Sequence, residues 1–156
     1  MSVELARGRV DDGAFLFPVR VYWEDTDAGG VVYHANYLRF AERGRSEMLR
    51  RLGIDQERLR QDDGTILVVR RSTIDFIAPA RLDDELVVAT RLAGLAGATL
   101  DLDQEIRRGG TALVRVASRV ACLGPSGRPT RLPTALRDAL AALGTQPLPA
   151  IQPLQG

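Results

Sequence analysis

Lysine is absent: all 21 basic side chains of the 156-residue sequence are arginine. That excludes Schiff-base chemistry on lysine and a P-loop lysine. A single His and a single Cys cannot build a Cys/His zinc cluster, and the lone Cys closes no internal disulfide, so a reducing compartment is expected. With 21 basic against 20 acidic groups the net charge is +1, which lacks the basic excess of a general nucleic-acid binder. No apolar run approaches the roughly 20 residues of a membrane span. The first residues, MSVELARGRVDDG, are too charged for the apolar core of a signal peptide, so none is expected. Cofactor-free chemistry is left to carboxylates, hydroxyls, the one His, Arg or backbone groups.

What is present suits one soluble domain. Hydrophobic residues make up 45% and charged residues 26%, the average for a globular chain. Residues 1–14 lack periodicity and read as a loose leader, 15–144 as the domain, and 145–156 as a flexible tail rich in Pro and Gln. Val19 and Val21 alternate with Arg20 and Tyr22, which predicts a strand over Pro18–Trp23, closed by the turn formers of EDTDAGG. From Ala35 to Leu52 the period becomes helical. Tyr37, Phe40, Ala41, Gly44, Met48 and Leu52 form one apolar stripe. Gly44 inside it costs about 1 kcal/mol relative to Ala, so close packing against the helix is expected there. Four strands follow, over Ile66–Ala78 (bent around Arg70 and Arg71), Glu85–Leu92, Thr99–Ile106 and Thr111–Leu123, and Pro133 opens a short helix through Leu143. The order predicts an α+β fold: an antiparallel sheet of about five strands with one long helix buried against a face.

Polar candidates gather in Glu24-Asp25-Thr26-Asp27-Ala28-Gly29-Gly30-Val31-Val32-Tyr33-His34-Ala35-Asn36-Tyr37. The segment holds three carboxylates in four positions, a Gly pair, the only His and the start of the long helix. Unpaired N–H groups at a helix start can stabilise an oxyanion, and a nearby carboxylate can attack or activate water. Each residue also has a plainer role. Asp27 before Gly29–Gly30 suits an Asx-turn, Glu24 and Asp25 suit solvated charges, and His34 suits a structural part. Asn36 suits an N-cap, and Tyr33 and Tyr37 suit core positions with a bonded hydroxyl.

The run VRVYWEDTDAGGVVYHANYLRFAERGRSEMLRRLGI resembles the signature of the 4-hydroxybenzoyl-CoA thioesterase family. It is most similar to the subgroup of acyl-CoA thioesterases associated with the Tol–Pal envelope system, and VVRRSTIDFIAPARLDDELVVATRL resembles the same subgroup. The resemblance spans roughly Pro18 to Leu143. It implies a hotdog fold, in which a curved antiparallel sheet wraps around one long helix. It also implies a homodimer joined sheet edge to sheet edge, or a tetramer of two such dimers, with the active sites at the dimer interface.

By that resemblance Asp27 is the catalytic carboxylate, acting as nucleophile or general base on the thioester. The backbone N–H of His34 polarises the carbonyl and its side chain assists. Tyr33, Asn36, Gly29 and Gly30 shape the site, with Glu24, Asp25 and Thr26 in support. The carboxylates near Asp27 are expected to raise its pKa. No metal or redox cofactor is implied, since coenzyme A enters as part of the substrate. Its phosphates need cations, for which Arg70, Arg71, Arg128 and Arg131 are candidates, against the plainer reading of solvated or paired charges. Short- to medium-chain aliphatic or aromatic acyl-CoA is the implied substrate. The implied setting is cytoplasmic, close to the inner membrane, with a link to envelope or lipid-synthesis proteins.

Two other readings compete. Hotdog proteins include acyl-thioester hydratases and dehydratases, which resemble a different Asp/His pattern from the seven-residue spacing of Asp27 and His34. A non-catalytic acyl-CoA-binding or envelope-associated protein would not need the intact Asp27 motif. A triad hydrolase lacks its G-x-S-x-G sequence.

Overall fold

A computed structural model describes residues 7–152. Its strands are β1 (Arg9–Asp11), β2 (Ala14–Arg20), β3 (Ile66–Phe76), β4 (Glu85–Leu95), β5 (Thr99–Arg108) and β6 (Thr111–Leu123). Its helices are α1 (Asn36–Arg51), α2 (Gln56–Asp63) and α3 (Thr134–Leu143). All neighbouring strands pair antiparallel, in the order β1-β2-β4-β5-β6-β3.

Among the described residues the sheet therefore has six strands rather than about five, and the helices number three. The sixth strand lies in the expected leader, of which residues 1–6 fall outside the described part. Asp12 and Gly13 both take positive φ, 49° and 73°, which matches a two-residue hairpin turn and pairs Asp11 with Ala14. The strand expected over Pro18–Trp23 starts earlier, at Ala14, because Phe15, Phe17 and Val19 already point inward. It ends at Arg20 before Trp23–Asp25 wind into a 3-10 turn.

Helix α2 was not legible from periodicity because it buries none of its residues. Its ends carry the signal instead. Asp55 accepts the Arg58 N–H at 3.1 Å, and Gly64 closes the helix at a φ of 64°.

The α1 stripe lies where expected: Tyr37, Phe40, Ala41, Gly44 and Met48 are buried. Two apolar clusters fill the interior. Tyr37, Phe40 and Ala41 join Val19, Val88, Ile106 and Val116 in one, and Met48 and Leu49 join Phe15, Leu102, Val120 and Leu136 in the other. Gly44 sits at the change of turn between these two groups of helix residues. A Cβ there would stand 2.6 Å from Val88 Cγ1 and 3.3 Å from both Thr90 Oγ1 and Gln104 Nε2. Beneath it, buried Gln104 donates to the Ala41 carbonyl at 2.8 Å and to Thr90 Oγ1 at 2.9 Å, and so ties the helix backbone to β4 and β5.

Two boundaries of the sheet bear on function. β3 is an edge strand of 11 residues, bulged between Val69 and Arg71 as the expected bend there required. Its Val69 and Phe76, and Ile77 just beyond, are 45%, 50% and 54% exposed. Of the tail expected to be flexible over 145–156, residues 153–156 lie outside the described part, and residues 145–152 run against the sheet. Thr145 bridges Leu92, Gln146 N–H donates to the Leu92 carbonyl at 2.7 Å, and Leu148 N–H donates to Asp103 Oδ2 at 2.8 Å. Arg115 holds the Pro149 carbonyl beyond them.

Candidate active site

Asp27 stands at the tip of a short hairpin. Thr26 bridges Val32, Asp27 N–H donates to the Val31 carbonyl at 2.9 Å, and Gly30 N–H returns to the Asp27 carbonyl at 3.0 Å. Gly30 takes a φ of 78°, a conformation that glycine adopts without the Cβ penalty. The Asx-turn reading of Asp27 holds in its geometry, since Oδ1 accepts the Gly29 N–H at 2.8 Å. Oδ2 has no hydrogen-bond partner among the described residues, and the side chain is exposed. One oxygen is thus fixed by the backbone while the other faces outward.

The hairpin docks on the turn between β3 and β4: Val31 bridges Arg81, and Val32 N–H donates to the Ala80 carbonyl at 2.9 Å. Ala80 also gives its own N–H to the hydroxyl of buried Tyr37 at 3.0 Å. Burial pushes the Tyr37 phenol above its ordinary pKa. The Ala80 bond pulls it down, Asp84 pushes it up, Arg108 pulls it down, and the charge of Asp27 adds to the rise. Asp27 is therefore felt at the first turn of α1. Burial alone would raise the carboxyl pKa of nearby Asp84, yet the Arg81 N–H and the Arg108 guanidinium hold it below the usual carboxylate value. Replacing Tyr37 by Phe strands the buried Ala80 N–H, and a loss of about 1–3 kcal/mol is expected in denaturant unfolding.

Helix α1 opens without a side-chain cap, at Ala35. Asn36 N–H bonds the Tyr33 carbonyl at 2.8 Å, whereas the His34 N–H has no partner among the described residues. An N–H left free at a helix start is a ready donor to developing negative charge. The His34 ring is exposed, 4.6 Å from the Tyr33 ring and 6.4 Å from that of Phe76, measured between centroids. A cavity of about 280 Å³ opens here, walled by Val32, His34, Tyr37, Phe76, Ile77 and Pro79. Apolar Phe76, Ile77 and Pro79 wall this cavity, whereas in the sequence they read only as a strand end and turn. Their neighbour Ala80 ties the hairpin and Tyr37 together through its backbone, which no side-chain pattern displays.

The supporting carboxylates separate. Glu24 is exposed, while Asp25 is buried and accepts hydrogen bonds from Tyr22 N–H and the Asn36 amide. Asn36 is thus no N-cap, since its side chain reaches back to Asp25. Of the four arginines, Arg70 and Arg71 lie midway along β3, and Arg128 and Arg131 follow the Leu123 end of β6. Because Leu123 pairs with Ile66 and Val114 with Phe76, the two loop arginines sit at the far end of β3, roughly 35 Å along the strand from Phe76. Within one chain they do not meet Asp27. Among the described residues no helix is long and apolar enough to cross a membrane.

Residues 21–140, which contain the hairpin, α1 and the sheet, match the family model of the thioesterase-like superfamily. The chain is 46% identical over 112 residues to the acyl-CoA thioesterase YbgC of Haemophilus influenzae, a match covering 72% of this chain and 82% of that protein. It is 44% identical over 124 residues to the acyl-CoA thioester hydrolase YbgC of Escherichia coli, covering 78% and 92%. A probable thioesterase from Bartonella henselae superposes with a TM-score of 0.73 at 42% identity, covering 76% of this chain and 98% of that one. A 1,4-dihydroxy-2-naphthoyl-CoA thioesterase from Synechocystis gives 0.78 at 25% identity, covering 85% and 99%. The family expected from the EDTDAGGVVYHANY segment is the family found, and the chain belongs to the thioesterase-like superfamily, alongside the YbgC acyl-CoA thioesterases.

Proposed function

We propose that this protein hydrolyses an acyl-CoA thioester to the free acid and coenzyme A. The observation that carries the reading is the match of the chain to acyl-CoA thioesterases, and an outward carboxylate oxygen on Asp27 and an unpartnered His34 N–H within the matched residues support it. The thioester carbonyl oxygen accepts from the His34 N–H, and the N-terminal end of α1 stabilises the charge that develops on it. Asp27 either attacks the carbonyl carbon, giving a mixed anhydride that water then hydrolyses to the free acid and the restored carboxylate, or takes a proton from a water that attacks the carbonyl directly. In both cases the C–S bond breaks and the thiolate takes up a proton to give the free thiol. His34 and Tyr33 flank the carbonyl, and the apolar wall of Phe76 and Ile77 receives the acyl group.

A second copy of the chain completes this wall. The unpaired β3 edge and the exposure of Phe76 and Ile77 support a homodimer formed by pairing β3 with β3. A two-fold axis makes that pairing antiparallel, so the Ile66 end of one protomer meets the Phe76 end of its partner. Arg128 and Arg131 then serve the partner's site rather than their own, and Arg70 and Arg71 lie near the axis. That arrangement supplies guanidinium groups for the phosphates of coenzyme A. The cytoplasmic setting near the inner membrane, and a link to envelope or lipid-synthesis proteins, rest on the subgroup resemblance.

Release of free thiol across short- and medium-chain aliphatic acyl-CoA esters and one aromatic acyl-CoA tests the reading. Turnover of at least one class is expected. No thiol from any member overturns it.

A further inference from the structure

The reacting groups proposed above belong to different local elements. Asp27 sits on a hairpin tip and the His34 N–H on the turn into α1, yet catalysis needs their separation fixed to a fraction of an ångström. Asp25 is what joins them. It is 3% exposed and Asn36 is 5% exposed, in a segment where Glu24, Asp27 and His34 all face solvent. Oδ1 of Asp25 accepts the Asn36 side-chain amide at 2.7 Å, and Oδ2 accepts the Tyr22 N–H at 2.8 Å. Its backbone carbonyl accepts the Tyr33 N–H at 2.9 Å. His34 therefore lies between two residues bonded to Asp25, and Asp27 follows Asp25 by two positions.

The chemistry of the choice is informative. Burying a carboxyl is costly unless it is well bonded, and among the described residues no guanidinium lies within 4.0 Å of this one. Serine would satisfy the Tyr22 N–H alone. Only a carboxylate accepts from both directions at once, from the chain before the hairpin and from the helix after it.

We infer that Asp25 and Asn36 form a positioning pair that locks the Asp27 hairpin against the start of α1 and sets the distance between the attacking carboxylate and the carbonyl-polarising N–H. The inference rests on the reading of Asp27 and His34 given above. Neither residue touches substrate; they act through the groups they hold.

The test compares kcat and KM of the full chain, Asp25→Asn, Asn36→Asp, the exchanged double variant and Asp27→Asn, on whichever acyl-CoA is turned over. Asp25→Asn leaves one oxygen for two donors, the Asn36 amide and the Tyr22 N–H, and Asn36→Asp opposes two carboxyls. In the double variant the amide placed at position 25 donates to the carboxylate placed at position 36, while its oxygen accepts from the Tyr22 N–H. Each single change is expected to lower kcat about 100-fold, with KM within about threefold and an unchanged far-UV circular dichroism spectrum. The exchange is expected to return kcat to within about tenfold of the parent. Asn36→Ala opposes no like groups, so it reports on the pair even if a single variant does not fold, and a kcat loss of about tenfold or more is expected. The pairing is overturned if the folded single variants turn over like the parent while Asp27→Asn is inactive. It is overturned equally if activity merely tracks the folded fraction and the exchange recovers nothing. Parent-like turnover in Asp27→Asn instead removes the reading on which the pair depends.

Discussion

Asp27→Asn is expected to lower kcat by about 10²–10⁴ while leaving the fold and KM nearly unchanged. The reason lies in the two oxygens of this side chain. Oδ1 accepts the Gly29 N–H at 2.8 Å, and the carbonyl oxygen of asparagine makes the same bond, so the hairpin tip keeps its shape. Oδ2 becomes an amide nitrogen, which neither attacks a thioester nor takes a proton from water. Asp27→Ala removes both functions and loosens the Gly29–Gly30 turn as well, so it should match Asn in lost turnover and add a rise in KM. A thiol-release assay with both variants beside the parent decides the matter. Full turnover in Asp27→Asn sinks the assignment whatever happens to Asp27→Ala.

Gly44→Val is expected to cost about 3 kcal/mol or more in denaturant unfolding. On helix propensity alone a glycine in mid-helix is a defect, and replacing it should help. The surroundings reverse the sign. The first added carbon meets Val88 Cγ1 at 2.6 Å, and Val88 is fully buried on β4. The branched methyls of valine would also press on Thr90 and Gln104, whose bonds tie β4 and β5 to the Ala41 carbonyl. Gly97→Ala provides the contrast: nothing stands within 4 Å of its Cβ position, so a change of no more than about 0.5 kcal/mol is expected. A stabilised Gly44→Val would mean that α1 does not sit this close to the sheet.

The elements most legible in the sequence are those with a strong period. The α1 stripe and the alternation over Thr99–Ile106 and Thr111–Leu123 each bury one face, so burial writes itself into residue order. Helix α2 buries nothing and left only its capping residues as a sign. Strand β1 has three exposed residues and was announced only by Asp12–Gly13. The site divides in the same way. Asp27 and His34 stood out as residue types in one short segment, and the family resemblance gave them roles. The Ala80 backbone, the Phe76 wall and the inward turn of Asp25 depend on contacts across the fold, between Ala80 and Tyr37 or between Asp25 and Asn36. Sequence adjacency even misled for Asp25, which reads as one more charge beside Asp27 until its oxygens are seen bonded elsewhere.

The segment after α3 has a consequence for the order in which the molecule assembles. Its partners Leu92, Asp103 and Arg115 lie on β4, β5 and β6, and the bonds to Asp103 and Arg115 span 45 and 34 residues of chain. None of these anchors stands in its final place until the three strands have paired. Closing loops of that length is entropically unfavourable before a partner surface exists. Among the described residues, 145–152 are thus the last to settle. Until they do, the nascent domain carries a finished sheet with one outer face still open.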